Sequence, residues 1–149
     1  NRLFFSYGKG MAFELNKQKK IVLNCKKKFS NQIIGLTNSD NTPYEILEIY
    51  KCTHHWDDNC ECRKPKPGMF HLASKDWLLR LDRTVYIGDD PRDCKAAYNA
   101  NCPCVYIGDT TELEGLSGNE NPLYIHNNLI EAVPSILKYF KETTYYDYY

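Results

Sequence analysis

Four-residue apolar runs that end in Gly-Asp restrict the fold of this chain more than any other feature. Thr84-Val85-Tyr86-Ile87 stops at Gly88-Asp89-Asp90, and Cys104-Val105-Tyr106-Ile107 stops at Gly108-Asp109. Runs this short and this apolar read as strands buried on both faces, the pattern of a parallel sheet covered by helices. Between them, Pro91 suits the first turn of a helix, which the sequence continues from Arg92 to Asn101.

The same alternation extends along the chain. Arg2 to Tyr7 reads as a short strand ended by Gly8 and Gly10. Ile21, Val22, Cys25 and Phe29 fall on one face of an amphipathic helix spanning roughly 15 to 29. Gln32 to Thr37 and Glu45 to Tyr50 read as strands. Met69, Leu72, Ala73 and Trp77 mark a helix after Pro67-Gly68. A last short strand at Leu123-Tyr124-Ile125 precedes a helix capped by Asn128 and running from Leu129 to about Lys141. Together these elements predict a doubly wound, Rossmann-like α/β domain with a mostly parallel sheet over residues 1–142. Residues 143–149, rich in tyrosine, are expected to form a flexible tail. In such a fold the ligand crevice lies at the carboxyl ends of the strands, which gathers Thr37, Asp89, Asp90 and Asp109 along one edge.

Composition removes several functional classes. Lysine plus arginine and aspartate plus glutamate both number 19, so the formal charge is zero and no broad nucleic-acid surface is expected. The lysines between Lys17 and Lys28 read as a solvated helix face. No apolar run approaches the ~18 residues of a membrane span. The first residues lack signal-peptide organisation and a starting methionine. Among the 7 cysteines, an odd count with close spacing favours metal ligation over disulfides, and hence a reducing, cytoplasmic setting.

Cys52-Thr53-His54 and Cys60-Glu61-Cys62 place three thiols and an imidazole on one loop. Four such ligands close a tetrahedron around zinc and leave no open position, so the ion is expected to be structural. His55 competes with His54, and symmetry with the Cys-x-Cys pair favours His54. Cys25, Cys94, Cys102 and Cys104 read as small buried apolar residues. Arg63-Lys64-Pro65 follows the last cysteine directly. Proline stiffens the segment, and a positioned Lys64 ammonium and Arg63 guanidinium suit an anionic ligand, although a solvated basic loop has the same composition. At Gly88-Asp89-Asp90-Pro91-Arg92-Asp93 the crowded carboxylates suit a hard cation such as magnesium, or a helix cap. The Thr37 hydroxyl and the Asn38 amide end a strand where they can reach a phosphate.

In order, Leu36-Thr37-Asn38, Lys64 and Gly88-Asp89-Asp90-Pro91-Arg92-Asp93 resemble the second, third and fourth motifs of the haloacid dehalogenase (HAD) superfamily of phosphatases. The cysteine loop narrows the resemblance to the zinc-containing branch of D-glycero-D-manno-heptose-1,7-bisphosphate phosphatase and histidinol-phosphate phosphatase. Residues 62–69 are close to the heptose enzyme, and the five-residue gap between His54 and Cys60 is more similar to the histidinol enzyme. This resemblance covers about residues 15–140. It implies a HAD-type sheet without a cap domain and a magnesium-dependent phosphomonoesterase acting on a sugar bisphosphate. Fusion to a sugar-activating enzyme is one arrangement it allows. Asp89 would hold magnesium, with Asp90 and Asp93 supporting the ion from outside its ligands. Thr37 and Lys64 would hold the transferring phosphoryl group, with Arg63 and Asn38 on substrate.

Three departures are expected to matter. The branch carries Asp-x-Asp on its first strand, whereas Ser6 and Gly8 stand at those places here. Serine supplies neither the charge for magnesium nor the carboxylate for an aspartyl-phosphate. The motif either lies upstream of Asn1 or has been lost, leaving a zinc-stabilised binding domain without catalysis. The stretch from Thr37 to Cys52 is short for the branch, and Asp90 replaces a lysine often found there.

Overall fold

The two runs that end in Gly-Asp lie side by side in the sheet. The protein is described here from a computed structural model covering residues 2–6, 11–14, 48–50 and 52–144. The expected helix near 15–29, the strand ending at Thr37, Asn38, Cys25 and the tail from Tyr145 lie outside these residues. Six strands are described: β1 (Arg2–Ser6), β2 (Met11–Glu14), β3 (Glu48–Tyr50), β4 (Thr84–Gly88), β5 (Cys104–Ile107) and β6 (Tyr124–His126). They form one sheet in the order β3-β1-β2-β4-β5-β6. Three helices accompany them, α1 (Gly68–Trp77), α2 (Pro91–Asn99) and α3 (Leu129–Thr144).

β4, β5 and β6 are parallel neighbours; α2 connects the first two, and a loop with two short 3-10 turns connects β5 to β6. β1 is antiparallel to β2, and β2 is antiparallel to β4, so β1 runs in the same sense as β4. β3 joins β1 in parallel. The sheet is therefore mostly parallel, with β2 alone reversed among the described strands. The sequence reading missed β2. Met-Ala-Phe-Glu is a four-residue segment whose strand character comes from pairing on both sides, not from its own pattern. Its insertion leaves Ser6, at the end of β1, two strands from β4, about 10 Å at the usual spacing.

The core forms where the parallel strands meet the helices. Thr84, Val85, Tyr86 and Ile87 are all at most 2% exposed, as expected for a strand covered on both sides. α2 lays Cys94, Ala96 and Ala97 against the sheet, and their small side chains let the helix approach closely. α1 buries Met69, Phe70 and Ala73. Its inward face is turned from the one the sequence suggested: Leu72 is 48% exposed, and Phe70 instead packs on the Tyr86 ring at 4.6 Å. Cys94, Cys102 and Cys104 are buried thiols. At α3, Asn128 accepts from the Glu131 amide at 3.0 Å and donates to its carboxylate at 2.8 Å, so the expected cap forms reciprocally. The helix continues to Thr144, past Lys141.

α1 ends at Leu78 in the left-handed conformation, φ 52°, with the side chain 88% exposed. The Leu79 amide then bonds back to the Ser74 carbonyl at 3.0 Å, a bond that does not need the leucine side chain. A non-glycine residue there costs about 1–2 kcal/mol, against about 0.5–1 for glycine's extra freedom when unfolded. Leu78→Gly should therefore raise stability by roughly 0.5–1 kcal/mol in urea unfolding, while Leu78→Ala should not.

Candidate active site and metal loop

The carboxyl end of β4 turns directly into α2, and this turn organises the site. Asp90 caps the helix: its carboxylate accepts from the Arg92 amide at 2.9 Å, while the Asp90 amide donates to Asp93 Oδ2 at 3.2 Å. Arg92 also grips Asp90 through its side chain at 2.6 and 3.0 Å. The Arg92 guanidinium accordingly holds the Asp90 carboxyl down at about 2. Because that value lies below the ordinary 3.8, Asp90 stabilises the turn at neutral pH and loses its contribution only as pH falls toward 2. Of the two roles open to Asp90 in the sequence, the geometry displays the helix cap.

Asp93 is fully buried, 0% exposed, and its charge is matched from three sides. Lys64 Nζ reaches Oδ1 at 2.6 Å, the Tyr86 hydroxyl donates to the same oxygen at 2.9 Å, and the Asp90 amide holds Oδ2. A buried carboxylate is tolerated when it is paired and hydrogen-bonded in this way. Lys64 is thus fixed at the end of β4, the strand that runs into Asp89. The Tyr106 hydroxyl, donating to Glu112 at 2.5 Å, also comes within 3.5 Å of the Asp89 carbonyl.

Gly88 makes this convergence possible. A Cβ at that position would lie 2.2 Å from the Asp93 Cβ and 2.7 Å from Oδ2. Gly88→Ala should cost about 2–3 kcal/mol by overpacking and should part Lys64 from Asp93. Gly115, which has nothing within 4 Å, supplies the comparison, since Gly115→Ala should change urea stability little.

Cys52, His54, Cys60 and Cys62 bring their ligand atoms within 4.8 Å of one another. Cys62 Sγ lies 3.1 Å from Cys52 Sγ, 3.3 Å from Cys60 Sγ and 3.1 Å from His54 Nδ1. His55, by contrast, turns Nδ1 toward Asp57, accepting from its amide at 3.4 Å. Three thiols and an imidazole around one centre are the donor set of a closed tetrahedral zinc site. Crowding sets their acidity: the Cys62 S–H bond holds the Cys52 thiol down at about 7, while burial, then the other thiols, push Cys62 up to about 12. Ligation requires thiolates, so metal uptake at this cluster releases protons.

The loop's basic residues are held from both sides. Arg63 donates to the His54 carbonyl at 2.9 Å, tying its guanidinium to the cysteine loop. Lys66 binds the Asn59 carbonyl and Glu61, and Asn99 at the end of α2 donates to the Pro65 carbonyl at 2.9 Å. Lys64 therefore emerges from a segment anchored to the thiol cluster on one side and to α2 on the other. Lys64, Asp90 and Asp93 meet at the end of β4, next to Asp89 in the chain, and Cys52, His54, Cys60 and Cys62 meet in the adjoining loop. Thr37 and Asn38 lie outside the described residues. The short cysteine spacing made the cluster legible. The missed participant is Tyr86, whose only signal was a hydroxyl in a buried strand, a group that needs a partner.

A HAD-hydrolase-like family model matches residues 61–132, from the thiol cluster through the acidic turn to α3. The crystal structure of D,D-heptose 1,7-bisphosphate phosphatase from Bordetella bronchiseptica, solved with magnesium and phosphate, superposes with a TM-score of 0.55 and 27% identity, covering 64% of this chain and 54% of that one. The family match takes in just under half of the chain, and by it residues 61–132 are similar to the haloacid dehalogenase group. The chain is similar to D-glycero-beta-D-manno-heptose-1,7-bisphosphate 7-phosphatase of Helicobacter pylori strain J99, at 44% identity over 57 residues, 38% of this chain and 33% of that protein. It is also similar to D-glycero-alpha-D-manno-heptose-1,7-bisphosphate 7-phosphatase of Photorhabdus laumondii, at 32% over 101 residues, 58% of this chain and 54% of that protein. The chain thus spans from one third to just over half the length of these two relatives. No helix among its described residues is long and apolar enough to cross a membrane.

Proposed function

We propose that this chain forms the metal-loop and acidic-turn portion of a magnesium-dependent phosphomonoesterase acting on a sugar bisphosphate, most like heptose 1,7-bisphosphate. One observation carries the proposal: Lys64 is fixed by a fully buried carboxylate at the strand end that also bears Asp89. A fixed ammonium at that edge attracts the phosphate, and preorganised charge is what phosphoryl transfer needs from a protein. Lys64, with Thr37 and Asn38 from the neighbouring motif, would hold the phosphoryl oxygens. Arg63 would contact the rest of the substrate.

The donor sets fit the two proposed ions. Cys52, His54, Cys60 and Cys62 would hold zinc as a structural clip, since four protein ligands leave it no open position. Asp89 would hold magnesium, which binds through one or two carboxylates plus substrate phosphate. Magnesium, when bound, supplies charge that offsets repulsion between carboxylate and phosphate. Asp90 and Asp93 keep the turn rigid around Asp89 through the cap and the Lys64 pair.

A second reading keeps the ligand site and removes the chemistry. Its support is specific: β1 ends at Ser6, and β2 stands between β1 and β4. No carboxylate of an Asp-x-Asp pair is available from β1, and serine cannot replace it. Assays on heptose 1,7-bisphosphate and histidinol phosphate, with and without magnesium, separate these readings. These 149 residues should turn over poorly, whereas a polypeptide from the same gene carrying Asp-x-Asp should be active and should lose activity in Asp89→Asn. Robust magnesium-dependent turnover by the 149 residues alone would show that the nucleophile lies elsewhere in this chain.

A further inference from the structure

We infer that Tyr86 is a positioning residue for Lys64, acting through the carboxylate of Asp93. The inference rests on the proposed phosphate role of Lys64 and deepens it. A buried tyrosine hydroxyl always needs a partner, so the hydrogen bond alone could be simple satisfaction. The geometry goes further. Tyr86 donates to Oδ1, the oxygen that also accepts from Lys64, at 2.9 Å beside 2.6 Å. Oδ2 is taken by the Asp90 amide at 3.2 Å. Both oxygens are therefore engaged, and the plane of the carboxylate is set by donors on both sides.

Each support of this arrangement is rigid. Tyr86 is 1% exposed within β4, and its ring leans on Phe70 at 4.6 Å with a 54° tilt, so the hydroxyl has little freedom. Asp93 sits in the first turn of α2, where the Asp90 cap fixes the backbone. Without the hydroxyl, Asp93 keeps Lys64 and one amide, and the carboxylate can turn about its side-chain bond. Lys64, 16% exposed at its side chain, would follow it and lose its fixed aim toward the strand end. Sharing Oδ1 with Tyr86 also limits how completely Asp93 neutralises the ammonium, which keeps Lys64 available to an anion. Tyr86→Phe preserves the ring and removes the hydroxyl that donates to Oδ1.

The test is nitrogen-15 NMR of the lysine ammonium groups in the full chain, in cold, mildly acidic buffer, with Lys64→Met assigning the signal. In the unmutated protein the Lys64 ammonium should give a resolved, slowly exchanging signal, and the Tyr86 hydroxyl proton should be visible with a contact to it. Tyr86→Phe should broaden the Lys64 signal beyond detection. Ile136→Val, a core change on the distant helix α3, should leave it intact. A Lys64 signal unchanged in Tyr86→Phe, or a Tyr86 hydroxyl proton exchanging freely in the unmutated protein, would overturn the inference. Titration with inorganic phosphate should move the Lys64 signal, with affinity about 3- to 10-fold weaker in Tyr86→Phe, as for one bond lost from a coupled network. If phosphate leaves the unmutated signal still while Tyr86→Phe broadens it, the positioning role stands and the phosphate role of Lys64 fails.

Discussion

Cys62→Ser should strip the metal from the loop and loosen residues 52–67 as a unit. Cys62 is the hub of the cluster, 3.1 to 3.3 Å from the other three ligand atoms, so no remaining trio can close around an ion as well. Structural zinc sites release about 10–16 kcal/mol on binding, though much of that is spent on folding their own loops. Here Cys52 and Cys62 also pack against the main core, so part of the loop has other support. We expect a fall in the thermal midpoint on the order of 10 °C, which for a chain of this size corresponds to roughly 3–4 kcal/mol. Metal analysis should find one zinc per chain in the unmutated protein and none in Cys62→Ser or His54→Ala, with His55→Ala unchanged. Hydrogen exchange should rise across 52–67 and across Lys64 in particular. Protein purified without chelator that contains no zinc, yet melts at the same temperature as Cys62→Ser, would remove the metal clip from this account.

Asp93→Ala should be the most damaging single change outside the metal loop. It leaves Lys64 without its counter-charge, takes the Asp93 acceptor away from the Tyr86 hydroxyl and removes the return bond of the α2 cap. Removing one partner of a buried ion pair costs about 3–5 kcal/mol, and loss of a cap adds about 1. Lys64 retains some access to water, which places the expected total near the lower figure, about 3 kcal/mol in urea unfolding. The double variant Asp93→Ala/Lys64→Met should recover a good part of the loss, because most of the penalty belongs to the stranded ammonium and not to the absent carboxylate. A cost for Asp93→Ala below about 1 kcal/mol would mean that the pair is solvated and that Lys64 is not held as described.

The sequence was most informative where local chemistry decides structure. β4 and β5 were legible because strands covered on both faces must be apolar throughout, and each ends where glycine and aspartate interrupt the run. The helix starts at Asn128 and Pro91 were legible because capping and first-turn signals act within four residues. The thiol cluster was legible because its ligands are close in sequence and chemically rare. β2 was not, since a four-residue strand owes its state to neighbours that lie far away in the chain. Nor was the exposure of Leu72, because helical spacing gives the width of an apolar face and only packing on Tyr86 sets its direction.

The sequence alone determined the alternating α/β plan, the three thiols of the Cys/His loop with a choice between His54 and His55, and the acidic turn after β4, since each rests on residues adjacent in the chain. It left open whether Lys64 is a solvated charge or a fixed one. That was decided by the tertiary structure, which carries Lys64 to Asp93 across 29 residues and brings Tyr86 to the same oxygen. The physical reason is burial: an ammonium meets a fully desolvated carboxylate only when the sheet, α2 and the cysteine loop close around it together, and no local pattern encodes that meeting.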